Sequence, residues 1–162
     1  MRWFRHLFAP SAKRAFPSDS LQRIAATIAQ SETSHSGEIC FAVEPALDLR
    51  ALWAGQEAHE RARDVFARLR VWDTQANNGV LLYLLLADHR IEIVADRGFD
   101  GKVSAGQWRS VCERVERGMR AGDREAAVIA GVTALSELIA RHFPRGKDHI
   151  DRNELPDLPH ML

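Results

Sequence analysis

The chain has 162 residues, 46% of them hydrophobic and 27% charged, with 22 Lys plus Arg balanced by 22 Asp plus Glu. This composition excludes a disordered or fibrous chain and suits one domain that buries about 70% of its unfolded surface without needing a disulfide or structural metal. Zero formal net charge also excludes a general electrostatic pull toward nucleic acid as a partner.

The charges are unevenly spread. Residues 1–16 hold Arg2, Arg5, Lys13 and Arg14 without an acid, interleaved with Trp3, Phe4, Leu7 and Phe8. A basic aromatic arm of this kind suits an anionic membrane surface or a membrane-associated protein partner, and equally suits packing on the domain or plain disorder. Its apolar runs fall short of the about 7–15 residues of a signal-peptide core, and no stretch approaches the roughly 18 apolar residues of a membrane span. The expected location is cytoplasmic, peripheral to a membrane. Cys40 and Cys112 sit among apolar residues with no CxxC pair, so they read as buried thiols in a reducing compartment.

After the arm, Ser18 is a good N-cap, and Leu21, Ile24, Ala25 and Ile28 share one face of a first helix ending near Ser31. Ser34–Gly37 breaks that pattern, and Glu38–Glu44 supplies β-branched and aromatic residues at strand period before Pro45. Asp48 caps a second helix, predicted over Leu49–Leu69 from the spacing of Leu52, Ala58, Ala62, Val65, Phe66 and Leu69. Asp73–Gly79 is a loop rich in side chains that bond their own backbone. The apolar run Val80–Ala87 predicts a strand covered on both faces, and Asp88-His89 turns it into a second strand, Arg90–Ala95. Two further helices follow the loop Asp96–Gly101, one through Trp108, Val111, Val115 and Met119 and one through Ala127, Val132, Leu135 and Ile139, separated by Gly122-Asp123. The arm thus covers residues 1–16, the domain 17–144, and a polar, loosely ordered tail 145–162.

The order helix-strand-helix-strand-strand-helix-helix specifies an αβα sandwich around a small mixed β-sheet. A right-handed crossover makes the first two strands parallel, and the hairpin returns the third strand to the same rim. Three loops therefore converge there: Glu32–Glu38, Asp73–Gly79 and Asp96–Gly101. The rim gathers Glu32, His35, Glu38, Asp73, Asn77, Asn78, Asp96, Arg97 and Asp100, a set rich in oxygen and poor in sulfur that suits a hard cation. Asp96, Asp100 and Gly101 resemble the opening of an EF-hand loop, but Gly98 and Gln107 occupy positions where that loop needs ligands, and a strand precedes it. A phosphate-cradling GxGxxG or GxxxxGK[ST] motif, an HExxH pair and a GxSxG elbow are all absent.

The block Val71-Trp72-Asp73-Thr74-Gln75-Ala76-Asn77-Asn78-Gly79-Val80-Leu81-Leu82, followed by Arg90-Ile91-Glu92-Ile93 and Asp96-Arg97-Gly98, resembles the TPM domain family. The resemblance runs from about Gly37 to the end of the last helix, with residues 1–30 and the tail looking like features of a bacterial branch. It implies an αβα sandwich, calcium at the rim, with Asp73, Asn77, Asn78, Asp96 and Asp100 as the ligand set, and the acid phosphatase label of a plant thylakoid-lumen relative. Many members read Asp-Asn-Gly where this chain has Asn77-Asn78-Gly79, one negative ligand fewer, so calcium is expected to bind weakly. The expected function is a binding module; the alternative is a metal-dependent hydrolase of phosphomonoesters in which Arg97 or His35 meets a phosphate oxygen.

Overall fold

The computed structural model describes residues 1–146 and 153–162; residues 147–152, part of the predicted tail, lie outside the described residues. The elements are α1 (Arg2–Leu7), α2 (Ala12–Ala15), α3 (Ser18–Ser31), β1 (Glu38–Glu44), α4 (Leu49–Trp53), α5 (Ala58–Arg68), β2 (Gly79–Leu85), β3 (Arg90–Ala95), a 3-10 turn (Arg97–Phe99), α6 (Ala105–Ala121), α7 (Arg124–His142) and β4 (His160–Met161).

The sheet order is β3-β2-β1-β4. β1 runs parallel to β2 with Glu38 opposite Gly79, and β2 pairs antiparallel with β3, with Val80 opposite Ala95. Every residue of β1 and β2 is buried, because helices cover both faces. Alternation divides the core in two. Ile39, Phe41, Val43, Val80, Leu82 and Leu84 face α3, α6 and α7, whereas Cys40, Ala42, Leu81, Tyr83 and Leu85 face α4 and α5. On this second face Arg61 grips Glu44 through two bonds of 2.8 and 2.9 Å, and the Tyr83 hydroxyl donates to the same carboxylate at 2.6 Å. The αβα sandwich expected from element order is the fold observed.

Three sequence expectations are corrected, and the alternatives left open for the arm are decided. Leu49–Leu69 is two helices, α4 and α5. Apolar spacing continues through the break, but Gly55 turns at φ +69°, and Glu57 and Glu60 form a capping box that starts α5 afresh. Ser18 is the first residue of α3 rather than its cap, which falls on Pro17. Residues 1–16 form helices packed on the domain. Arg2 and His6, one turn apart on α1, both bond Asp88 of the β2–β3 turn at 2.7 and 3.0 Å, and the Leu47 amide donates to His6 Nδ1 at 3.0 Å. Lastly, residues 153–162 are no loose extension. β4 adds a parallel edge strand to β1, and Leu155 is buried against the α5 face.

α6 and α7 form a helical hairpin across Gly122-Asp123, with Asp123 capping α7 through the Ala126 amide. They approach closely where Gly118 faces Ala127: a Cβ on residue 118 would lie 2.6 Å from the Ala127 methyl and 3.0 Å from its Cα.

Candidate functional site

The rim deduced from strand order is assembled by backbone bonds between its loops. The Glu38 amide donates to Asn78 O (3.3 Å), the Asp96 amide to Gly79 O (2.9 Å) and the Gly98 amide to Asn77 O (2.8 Å). Gly98 is necessary to this approach, since a Cβ there would press on the Asn77 carbonyl and stand 2.8 Å from Ala76 O. Beneath the rim, Phe99 packs edge-on against Phe143 and Trp108, anchoring the 96–101 turn in the core.

Asn78 and His35 are the buried side chains at this part of the rim, and Asp96 beside them is half-buried. Asn78 is fully buried; its amide donates to Thr74 Oγ1 at 3.1 Å and its Nδ2 to Ser36 O at 2.9 Å. Its Oδ1, however, is enclosed without a donor among the described residues. The Asp96 Oδ1 accepts from the Arg97 amide at 2.8 Å, while its Oδ2 is likewise enclosed and without a donor. Each of these two acceptors, on adjoining loops, is shielded from solvent, and a buried acceptor left unmatched costs about 1–3 kcal/mol. His35, only 1% exposed, lies under the same loops, and neither ring nitrogen makes a well-formed hydrogen bond among the described residues. Burial pushes its pKa down to about 4; the backbone of Gly37 opposes this and the Arg145 guanidinium adds to it. The ring is therefore neutral at physiological pH.

The remaining rim residues divide between structural and peripheral roles. Glu32 accepts from the Ile39 amide at 3.1 Å, closing the end of α3 onto β1. Glu38, 6% exposed, accepts from the Glu154 and Leu155 amides at 3.3 Å each and so clasps the C-terminal segment. Burial pushes its pKa up to about 7, against the pull of those two amides. Asn77 sits at φ 52° and contributes its carbonyl to Gly98. Asp73 pairs with Arg70 at 2.7 Å on the surface, and Arg97 and Asp100 are exposed.

A calcium ion takes about six to eight oxygens, several of them anionic when binding is tight. Asn78 Oδ1, Asp96 Oδ2 and neighbouring carbonyls fit such an ion in kind, but among the described residues no three His, Cys, Asp or Glu side chains converge on one centre. The donor set therefore suits a weak, sparsely charged site.

A second surface was only half visible in the sequence. Trp3, Phe4, Leu7 and Phe8 of the arm are exposed, and so are Leu49 and Trp53 of α4. Trp3 and Trp53 meet edge-on at 5.3 Å, so the two groups make one patch. The α4 residues were missed because the sequence reads as one helix over Leu49–Leu69, which gives no reason to set Leu49 and Trp53 beside the arm. Among the described residues no helix is long and apolar enough to cross a membrane.

The sequence matches the TPM domain model over residues 12–138. The fold is similar to the solution structure of the BA42 protein of the psychrophilic bacterium Bizionia argentinensis, at 27% identity and TM-score 0.77, covering 90% of this chain and 94% of that one. It is also similar to the N-terminal domain of a P. gingivalis protein, at 18% identity and TM-score 0.63, covering 81% and 82% of the two chains. For the N-terminal domain of the Corynebacterium glutamicum protein cg2496 the identity is 9% and the TM-score 0.60, with 89% and 86% covered. No curated protein matches the chain.

Proposed function

Because the chain belongs to the TPM domain family, we propose that it acts as a binding module whose loop rim takes a calcium ion weakly and whose basic aromatic end docks on a membrane-associated partner. The observation that carries the first half is the pair of enclosed, donorless oxygens, Asn78 Oδ1 and Asp96 Oδ2. A cation is the natural occupant of a spot with acceptors and no donors. Asp73 and Asp100, exposed on the flanking loops, supply outer negative charge, and the Asn77 and Asn78 carbonyls supply neutral oxygens. The second half rests on the exposed patch spanning α1 and α4, flanked by the exposed cations Arg5, Lys13 and Arg14.

The hydrolase alternative draws no support from the thiols. Burial pushes both Cys40 and Cys112 up to about 12, far from a reactive thiolate. Calcium titration followed by NMR tests the rim: amides in 73–79 and 96–101 should shift while the middle of α7 stays still, with a dissociation constant near the roughly 10⁻⁴–10⁻³ M of weak modules. Asp96→Asn should weaken binding at least about tenfold. Shifts confined to Glu154 and Asp157 would sink the assignment. Metal-dependent phosphomonoester turnover that disappears in the same variant, with an intact fold, would favour the hydrolase instead.

A further inference from the structure

A cavity of about 500 Å³ opens away from the rim, between the end of the β2–β3 hairpin and the α6–α7 junction. Leu84, Leu86 and Ile91 form its buried floor and Met119 its wall, while Pro10 of the α1–α2 connection borders it. Its volume is that of an ordinary small-molecule site. Its polar edge carries Arg120, Arg124, Glu116 and His89. Glu116 lies 3.4 Å from Arg120, and Arg124 has no hydrogen-bond or ion-pair partner among the described residues. Arg124 is moreover the first residue of α7, where the helix dipole disfavours a bare cation and favours an anion beside it. On the far side of Pro10 a second hollow of about 360 Å³ shares Pro10, Leu86 and His89 with the first and extends to Phe4, Arg5 and Phe8.

We propose that this cavity binds a single-chain anionic amphiphile, its alkyl chain on Leu84, Leu86, Ile91 and Met119 and its acidic head at Arg124 with Arg120. Charge complementarity selects the head: the edge holds two guanidinium groups against one carboxylate, and the arginine without a partner is the one an incoming anion satisfies. Shape selects the chain, because the floor is continuous aliphatic surface and offers no array of donors to a sugar or a base. The site is independent of the cation rim.

The test uses the full chain and laurate below its micelle concentration, read by methyl and amide NMR. Saturable shifts of the Leu84, Leu86, Ile91 and Met119 methyls are expected, with affinity rising by up to about fourfold per methylene from octanoate to laurate. Arg124→Glu, which suits the start of a helix and leaves the fold intact, should weaken laurate at least about tenfold, the scale of one charge-assisted hydrogen bond. Met119→Trp should fill the cavity and abolish binding; if that variant does not fold, the wild-type shift map and Arg124→Glu decide alone. A neutral dodecyl glycoside binding as tightly as laurate would overturn the assignment of the head. Shifts centred on Trp3, Phe4 and Trp53 would overturn the cavity in favour of the exposed patch, and no saturable shift would overturn the proposal altogether.

Discussion

Replacing Glu38 by Gln should change how stability depends on pH, because Glu38 and His35 titrate in opposite senses. Unfolded, Glu38 loses its proton near 4.5; folded, burial holds it to about 7. Its stabilising contribution is therefore complete below 4.5, falls as pH rises, and is gone above 7, a change of about 3 kcal/mol. His35 behaves inversely: unfolded it binds a proton below 6.5, whereas folded it stays neutral down to about 4. Its contribution is present above 6.5 and is lost as pH falls, again by about 3 kcal/mol. Between 4.5 and 6.5 the two slopes cancel in the native protein. Glu38→Gln removes one slope and unmasks the other. Losing one acceptor for the Glu154 and Leu155 amides imposes a cost of about 1–2 kcal/mol that does not vary with pH. The informative quantity is thus the variant-minus-wild-type difference, which should favour the variant by about 2–3 kcal/mol more at pH 8 than at pH 5. Urea unfolding monitored by tryptophan fluorescence at both values measures it. A difference equal at the two pH values to within about 0.5 kcal/mol would refute the reasoning.

Arg61→Ala should destabilise by about 3 kcal/mol in urea by leaving the Glu44 carboxylate buried and uncompensated, and a triple Arg61→Met, Glu44→Leu, Tyr83→Phe change, which also removes the hydroxyl that Glu44 accepts from, should restore most of the loss. Gly98→Ala should cost about 1–3 kcal/mol in thermal unfolding by forcing the 96–101 turn off the Asn77 carbonyl; an unaltered midpoint would show that the loops do not depend on that approach. Native protein at pH 8 should react with a thiol reagent at Cys40 only as fast as it unfolds, since burial pushes that thiol up to about 12. Rapid labelling of the folded state would contradict this.

The layers and the rim were legible because they follow from periodicity and connection rules. Val80–Ala87 is apolar without a break, Asp88-His89 is too short for anything but a hairpin, and a parallel crossover leaves the three loops on one edge. That reasoning located Asn78 and Asp96 but did not distinguish them from Asp73 and Asp100, because which acid turns inward is decided by packing. Thr74, four residues before Asn78, was the available signal for the inward loop. β4 escaped notice because a two-residue strand directly after Pro159 has no period to read, and without it the partner of Glu38 could not be guessed. The docking of α1 depends on Asp88, 86 residues from Arg2, a separation across which sequence pattern is silent.

The close seat of Gly118 on Ala127 has a kinetic consequence. It joins segments separated only by the turn at Gly122-Asp123, so the loop closed in making it is short and its entropy cost small. The pairing of β1 with β2, by contrast, must wait for the α4–α5 crossover to order. The helical hairpin is thus the segment able to acquire native packing earliest, and its mid-helix amides around Val115 and Val132 should open as one cooperative unit in hydrogen exchange. A bulkier residue at 118 would wedge the hairpin apart and slow folding itself, whereas loosening the β4 edge would mainly hasten unfolding.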